Sequence, residues 1–186
     1  MRVTILVLLG SLRKASINRQ LVEVALESAP EAVNLKFFDR LGELPFYNED
    51  IDTKAVAESV TALREAASEA DAAIVVTPEH NGSIPAVLKN AIDWLSRPWG
   101  SGALKGKPLA VVGAARGRYG GVWAHEETRK SFGIAGARVL DDLKLSTPTE
   151  TLGGRHPRHS LEIAMRLRSV IQELAVEAAG PSVPHP

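Results

Sequence analysis

The sequence has no cysteine among its 186 residues. Disulfides, thiolate catalysis and cysteine-ligated zinc or iron–sulfur centres are therefore excluded within this chain. The sequence also lacks an excess of either charge, because 22 lysines and arginines stand against 22 aspartates and glutamates. A neutral chain gives no case for nucleic acid or an anionic membrane surface as a partner.

The sequence also lacks a hydrophobic run of the roughly 18 to 20 residues that a membrane span needs. The opening stretch "MRVTILVLLGS" has one basic residue and no small-residue cleavage site. We interpret it as a buried strand rather than a signal sequence, and we expect a cytoplasmic protein. The length predicts one domain over residues 1–180, followed by a frayed tail at 181–186.

Apolar runs alternate with amphipathic stretches along the chain. Strands are predicted at residues 3–9, 32–38, 72–77, 108–114 and 137–140, and helices at 17–28, 53–70, 122–132 and 161–178. An apolar stripe from Val87 to Leu95 predicts a further helix, and Leu26 of the first helix is expected on the same inner face as Leu21. Strands that alternate with helices indicate an α/β three-layer sandwich around a parallel sheet. Five strands with right-handed crossovers favour the flavodoxin-like strand order 2-1-3-4-5.

Ligands of such sheets bind beyond the carboxyl ends of the strands, at the point where the strand order reverses. This rule singles out three loops, which we call the first loop (residues 10–18), the second loop (77–84) and the third loop (113–121). They are also the connections with the most unusual compositions in the sequence. We therefore expect them to meet at one crevice and to form a ligand site.

The first loop reads "GSLRKASIN". Gly10 permits an unusual backbone angle, Ser11, Ser16 and Asn18 offer short polar groups, and Arg13 offers a forked cation. A helix that begins near Ser16 or Asn18 favours an anion at its start, so together these residues predict a phosphate nest. The alternative is that Ser16 or Asn18 only caps the helix and Arg13 is solvated.

The second loop contains the polar corner "PEHNGS" at residues 78–83. Pro78 ends the preceding strand and Gly82 allows a tight turn. The backbone N–H groups of residues 79–81 are expected to face the crevice and to suit a flat heteroaromatic ring with carbonyl edges. The alternative is a structural turn in which Glu79 and His80 are solvated.

The third loop, "GAARGRYGG", has four glycines in nine residues. Such a backbone can approach a ligand closely, or it can be a flexible crossover without function. Three unusual loops at one predicted crevice are much less expected by chance than any one of them. The combination favours a ligand site over the structural alternatives.

Three stretches of the chain resemble a known family: "GSLRKASIN", "LPFYNED" and "PEHNGSIPAVLKNAIDWLSRP", the last followed by "LKGKP". The family is that of the NAD(P)H-dependent FMN reductases of flavodoxin-like fold, which include chromate and quinone reductases. The resemblance covers about residues 1–145. It implies an enzyme that binds FMN, and it implies homodimers or homotetramers with the flavin near a subunit boundary.

The resemblance also implies roles for individual residues. The residues implied to hold the FMN phosphate are Ser11, Arg13, Ser16 and Asn18. Those implied to line the isoalloxazine ring are Pro78, Glu79, His80, Asn81 and Ser83, and those implied on its other side are Gly113, Ala114, Ala115 and Gly117. No side chain is expected to act as a nucleophile, because the flavin carries the chemistry.

The chain departs from the family pattern at two places. His80 stands where a tyrosine is expected, which alters any ring stacking there and adds a titratable group. The segment "VWAHEETR" at 122–129 replaces a stretch that in the family more often has an arginine and a glutamine. Within it, Trp123 is interpreted as a core or interface residue rather than a cofactor contact.

The implied activity is hydride transfer from NADPH or NADH through FMN to free FMN, a quinone, chromate or a similar acceptor. The alternative is a flavodoxin-like electron carrier that does not oxidise nicotinamide, although such carriers are usually strongly acidic. A phosphoacceptor module would need acidic residues where Gly10 and Pro78 stand. A hydrolase built on Asp93 and His125 would lack the GxSxG elbow, and His156 and His159 favour a solvated loop over a metal site.

Overall fold

Five parallel strands form a single sheet in the computed structural model, which describes residues 2–180. The strands are β1 (Val3–Leu9), β2 (Val33–Phe38), β3 (Ala72–Val76), β4 (Pro108–Ala115) and β5 (Arg138–Pro148). Their order is β2-β1-β3-β4-β5, and every neighbouring pair is parallel. The flavodoxin-like order predicted from the sequence is confirmed, while the predicted tail at 181–186 lies outside the described residues.

Helices cover both faces of the sheet. They are α1 (Ile17–Ser28), α2 (Glu58–Glu69), α3 (Ala86–Leu95), α4 (Val122–Ile134) and α5 (Leu161–Ala179). One core packs α2, α3 and α4 against the sheet, and the other packs α1 and α5 against its opposite face. None of these helices, within residues 2–180, is long and apolar enough to cross a membrane.

The central strands are buried on both faces, which explains their uninterrupted apolar sequences. Every residue of β3 is buried, as is every residue of β4. On one face the core includes Leu63, Trp94 and Phe132, and on the other it includes Leu21 and Leu167. The sheet is therefore a rigid platform whose carboxyl edge holds the three loops.

Two helix predictions need correction. The second helix begins at Glu58 rather than at residue 53, because the Thr53 hydroxyl accepts the Ala55 N–H at 3.2 Å in a local turn. Threonine side chains commonly compete with the helix in this way. In α1, whose predicted bounds are confirmed, Leu26 was expected on the inner face but is 42% exposed.

The last strand was predicted at residues 137–140 and is much longer. Leu109 of β4 pairs with Val139, but Val111 pairs with Lys144, so two steps along β4 correspond to five along β5. The three extra residues form a bulge that interrupts the apolar alternation, so the sequence pattern does not predict the part of the strand that follows. At this bulge the buried Arg129 of α4 donates from its guanidinium to the Val111 carbonyl at 3.2 Å.

Candidate active site

The first loop leads into a helix start that carries no opposing negative charge. Ser16 is the N-cap of α1, and its hydroxyl oxygen accepts the Asn18 N–H at 3.2 Å. The first turn of α1 contains no acidic residue. Ser11 is half-buried and Arg13 is exposed, and neither side chain bonds to another residue within 2–180. This end of the loop therefore offers a helix terminus, hydroxyls and a guanidinium to an anion.

Gly10 is required for space rather than for an unusual backbone angle. Its φ is not positive, so the expectation of a special backbone angle there was wrong. A Cβ at this position would lie 2.4 Å from the Thr77 hydroxyl oxygen. The Gly10 N–H also donates to the Val76 carbonyl at 2.9 Å. The first loop is thus packed directly against the start of the second.

Asn18 joins the first loop to the third. Its side-chain oxygen accepts the Ala114 N–H, and its side-chain NH2 donates to the Ala114 carbonyl, both at 2.8 Å. The residue is almost fully buried, with 3% of its surface exposed. The paired bonds fix the distance between the helix start of α1 and the end of β4.

The second loop closes on itself in a tight turn. The His80 N–H donates to the Ser83 carbonyl at 3.1 Å, and the Ser83 N–H returns to the His80 carbonyl at 3.0 Å. Asn81 and Gly82 between them both have positive φ, at 52° and 73°. The expectation that the His80 amide faces the crevice is therefore wrong, because that amide is used inside the turn.

The amides on either side of His80 remain available to a ligand. Neither Glu79 nor Asn81 donates its backbone N–H to another residue of the described chain. The His80 side chain and Asn81 are exposed, and Pro78 is half-buried. The second loop therefore presents two of the three expected backbone donors.

Two side chains of the second loop are bound to α4. The Glu79 carboxylate accepts the Ala124 N–H at 3.2 Å, in the first turn of that helix. A carboxylate at this end of a helix is stabilised by the helix dipole. The Ser83 hydroxyl donates to the Glu127 carboxylate at 2.6 Å. Both residues thus anchor the loop, whatever else they contact.

The third loop begins where three chain segments meet. A Cβ on Gly113 would lie 2.0 Å from the Thr77 carbonyl oxygen and 2.9 Å from the Asn18 side-chain oxygen. Gly117, by contrast, has φ of 86° and open space around it. Its N–H donates to the Glu150 carboxylate at 3.2 Å. The backbone N–H of Glu150 itself, and then that of Gly117, lower the pKa of this carboxyl group.

A buried histidine connects these segments. The ring of His125 is fully buried, with Nε2 2.9 Å from the Thr77 carbonyl oxygen and Nδ1 2.7 Å from the Ser146 hydroxyl. Burial lowers the pKa of His125 to about 4, although the Thr77 carbonyl opposes the shift and Arg129 adds to it. The neutral ring therefore donates from Nε2 to Thr77 and accepts from Ser146 at Nδ1.

From the sequence, His125 was weighed only as half of a hydrolytic pair with Asp93, and that pair was rejected. Its two ring nitrogens bind a carbonyl and a hydroxyl, while Asp93 pairs with Lys89. The spacing of residues along α4 could have shown that His125 lies on the buried face of the helix. Thr128, Arg129 and Phe132 follow it at three, four and seven residues, and all share the buried face of α4.

Two exposed aromatic rings lie beside the second loop. Tyr119 and Trp123 have ring centroids 5.5 Å apart, and the Arg118 guanidinium lies 4.6 Å from the Tyr119 ring centroid. Trp123 is 53% exposed, so it is not a core residue. A Cβ on Gly82 would lie 3.9 Å from its ring. The crevice thus has an aromatic rim on the α4 side.

The chain matches a known protein family. The family model described as NADPH-dependent FMN reductase matches residues 3–151, which include all three loops and the whole sheet. The chain belongs to this family. Family membership makes it an enzyme with FMN and a nicotinamide nucleotide as its cofactors.

Relatives of the family agree. A quinone reductase from Pseudomonas putida is 45% identical over 81% of this chain and 78% of its own length. A 2-hydroxy-1,4-benzoquinone reductase from a Burkholderia species is 41% identical over 69% of each chain. Among solved structures, the flavoenzyme NAD(P)H:(acceptor) oxidoreductase FerB from Paracoccus denitrificans is 29% identical, with a TM-score of 0.74 over 93% of this chain and 99% of its own.

The residues of the first loop fit the phosphate of FMN by the chemistry of their donors. Hydroxyls, one unpaired guanidinium and a helix start without carboxylates suit a dianion. The second loop adds the free amides of Glu79 and Asn81, and the open space at Gly117 leaves room on the third loop. The donors and the space of the three loops therefore suit FMN.

Proposed function

We propose that this protein transfers hydride from NADPH or NADH, through FMN held by the three loops, to a quinone or to free FMN. The proposal extends the family assignment to named residues and to an acceptor class. FMN supplies the hydride chemistry when bound, so the protein's task is to bind, orient and polarise. The reductase relatives weigh against the alternative of an electron carrier.

The observation that carries the proposal is the arrangement of charge at the first loop. The α1 N-terminus, Ser11 and Arg13 have no carboxylate partner within residues 2–180, and they lie beside two loops that are held by hydrogen bonds. An anion bound there would be held by charge-assisted hydrogen bonds. Ser16 and Asn18 would form the floor of this phosphate site.

The second and third loops would hold the flavin ring. Pro78, His80 and Asn81 would lie along one side of it, with the anchored side chains of Glu79 and Ser83 behind. Residues 113–117, including Ala114 and Ala115, would lie along the other side. The free amides of Glu79 and Asn81 would then donate to the ring's carbonyl edge and stabilise negative charge on the reduced form.

The acceptor we favour is a quinone. The aromatic rim of Tyr119 and Trp123 offers exposed rings at the crevice, on which a flat acceptor would stack. Reductases of quinones are also among the relatives, which supports this class over chromate. Activity on chromate, assembly into homodimers or homotetramers and a cytoplasmic location remain predictions.

The first test measures FMN binding and its reduction. Purified protein is titrated with FMN, and the flavin fluorescence is followed; NADPH and NADH are then added without oxygen, and flavin absorbance is recorded before and after a benzoquinone is supplied. We expect bound flavin to bleach with a nicotinamide nucleotide and to recover with the quinone. Protein that stays colourless after incubation with FMN would contradict the proposal.

A charge reversal sharpens this test. Arg13→Glu should weaken FMN binding by roughly tenfold to a hundredfold, because one charge-assisted bond becomes a repulsion. Lys54→Glu is the matched control, since it makes the same charge change on an exposed residue outside the three loops. Equal FMN affinity in the two variants would remove Arg13 from the phosphate site.

A further inference from the structure

A cavity lies beside the third loop, lined partly by residues that follow the family match. Its volume is about 410 Å³, and it is bounded by the end of β5, the turns at residues 151–160 and the first turn of α5. We call it the C-terminal hollow. The family model ends at residue 151, so the lining from Leu152 to Ile163 lies outside the family match.

One arginine of the hollow has no side-chain partner in the part of the chain that the structure describes. Four arginines lie between residues 155 and 168, and three of them have partners: Arg158 pairs with glutamates of α1, and Arg166 and Arg168 donate to backbone carbonyls. The guanidinium of Arg155 has no hydrogen bond or ion pair with any residue from 2 to 180, although it lines the hollow. A nearby anion is the ordinary partner for such a group.

The rest of the lining is mixed, which restricts the kind of anion. His159 also lines the hollow without a side-chain partner among the described residues, and Glu162 offers a carboxylate that accepts hydroxyl groups. Leu152 and Ile163 add apolar wall. A lone phosphate would meet repulsion from Glu162, whereas a ribose phosphate with an attached base would use the cation, the acceptor and the wall. The volume is also in the range of small-molecule sites.

The hollow is close to the candidate flavin site. Pro148 on its border pairs with Ala115, so only one strand spacing of about 5 Å separates it from the third loop. The Gly117 N–H bonds to Glu150 across the same gap. Arg116 and Arg118 are exposed on the loop between the two sites. A dinucleotide whose nicotinamide lies at the flavin would cross this basic loop to reach the hollow.

We propose that the C-terminal hollow binds the 2′-phosphorylated adenosine of NADPH, with Arg155 as the residue that recognises the phosphate. The inference rests on the proposed function, because it assigns the far end of that reaction's hydride donor. It makes the enzyme selective for NADPH over NADH, since NADH carries a hydroxyl where NADPH carries the phosphate. His159 and Glu162 would contact the phosphate and the ribose hydroxyls.

The kinetic test compares two arginines three residues apart in the FMN-loaded protein. Arg155→Ala should lower kcat/KM for NADPH by roughly tenfold, mainly through KM, and should change that for NADH less than twofold. Arg158→Ala removes an equal charge that is already paired with Glu23 and Glu27, and should change neither. Equal losses with both nucleotides, or no loss in Arg155→Ala, would overturn the proposal.

A binding test separates this proposal from the flavin reaction. Calorimetric titration of the FMN-loaded protein should detect 2′,5′-ADP, with binding at least tenfold tighter than that of 5′-AMP, and Arg155→Ala should abolish the difference. Inorganic phosphate that binds as tightly as 2′,5′-ADP would overturn the nucleotide assignment in favour of a general phosphate site. If neither nicotinamide nucleotide bleached the flavin, the proposed function would fail, while these titrations would still decide the hollow.

Discussion

The first loop and the other two loops of the site are built in opposite ways. The first loop leaves the side chains of Ser11 and Arg13 without partners in the described chain. The second and third loops bind most of their polar groups to the protein, through the Glu79–Ala124 and Gly117–Glu150 contacts and the His80–Ser83 turn. The first loop is the open region, and the other two loops form the satisfied region, apart from the Glu79 and Asn81 amides that stay available to a ligand.

This difference indicates that the two regions have different roles in binding FMN. An open cationic loop supplies affinity, because its charge-assisted bonds form only with the ligand. A satisfied pair of loops supplies position, because groups locked before binding lose little freedom when the ligand arrives. Changes in the first loop should therefore affect FMN affinity more than stability, and changes in the other two should affect both.

The largest effect is expected at Gly113. A valine there would put its Cβ 2.0 Å from the Thr77 carbonyl oxygen, which belongs to the backbone and cannot move aside alone. Gly113→Val should lower the free energy of unfolding by more than about 3 kcal/mol and prevent FMN binding. Thermal unfolding of the variant measures this effect. Gly117→Val is the contrasting variant, since its strain comes from φ alone and no neighbour is within 4 Å.

The pH dependence of stability isolates His125. Its pKa is about 4 in the folded protein and near 6.5 when unfolded, so the unfolded state binds more protons between these values. The free energy of unfolding should therefore fall by about 3 kcal/mol as pH is lowered from 6.5 to 4. Chemical unfolding across this range would measure the loss, and His125→Gln should show a shallower dependence. An unchanged profile in that variant would contradict the assignment.

Substitutions of His125 should separate its hydrogen bonds from its bulk. His125→Leu removes both bonds and leaves the buried Thr77 carbonyl unpaired, which should cost about 2 kcal/mol of stability and weaken FMN binding. Glutamine can donate to Thr77 and accept from Ser146, so His125→Gln should retain most FMN affinity at neutral pH. If leucine and glutamine behaved alike in an FMN titration, the hydrogen bonds would have no positioning role.

Asn18 tests the join between the two regions. Asn18→Ala removes both bonds to Ala114 and should lower stability by about 1 to 2 kcal/mol. Because the residue also positions the start of α1, FMN affinity should fall as well. A melting curve and an FMN titration of the same variant give the two values. If Asn18→Ala lost stability but kept its affinity for FMN, Asn18 would have a structural role and no role in positioning the phosphate site.

The smallest effect is expected at Ser83. Its bond to Glu127 is exposed, so Ser83→Ala should change the free energy of unfolding by less than about 0.5 kcal/mol. Turnover with NADPH and a benzoquinone should change less than twofold. A larger loss of turnover at unchanged stability would show that Ser83 contacts the ligand directly, and would extend the open region to the second loop.

The sequence predicted the architecture because the architecture depends on patterns that are local. Continuous apolar runs at β1, β3 and β4 identify buried parallel strands, and the helices between them fix the crossovers. The fifth strand was predicted only at its start, because its bulge breaks the pattern at residues 140–143. The start of α2 was misplaced because the Thr53 hydroxyl binds the Ala55 N–H in a local turn. The apolar pattern of the sequence does not reveal such a side-chain contact.

The site was predicted in part for a related reason. The rule for parallel sheets places the three loops together without knowledge of any side-chain contact. It cannot show which polar groups are used within the protein, as with the His80 amide and the Asn18 side chain. Nor can it show that His125 meets Ser146, since these residues come from α4 and the far side of a bulge.

The bulge in β5 has a consequence for which side chain reaches that histidine. Successive side chains of a strand point to opposite faces, so an insertion of three residues, an odd number, inverts the alternation for the remainder of the strand. Val139 packs toward α4, whereas beyond the bulge Leu145 packs toward α5 and Ser146 turns to His125. Without that inversion, strict alternation from Val139 would turn Leu145 toward α4 and Ser146 into the opposite core, so the bulge is what gives the imidazole a hydroxyl partner.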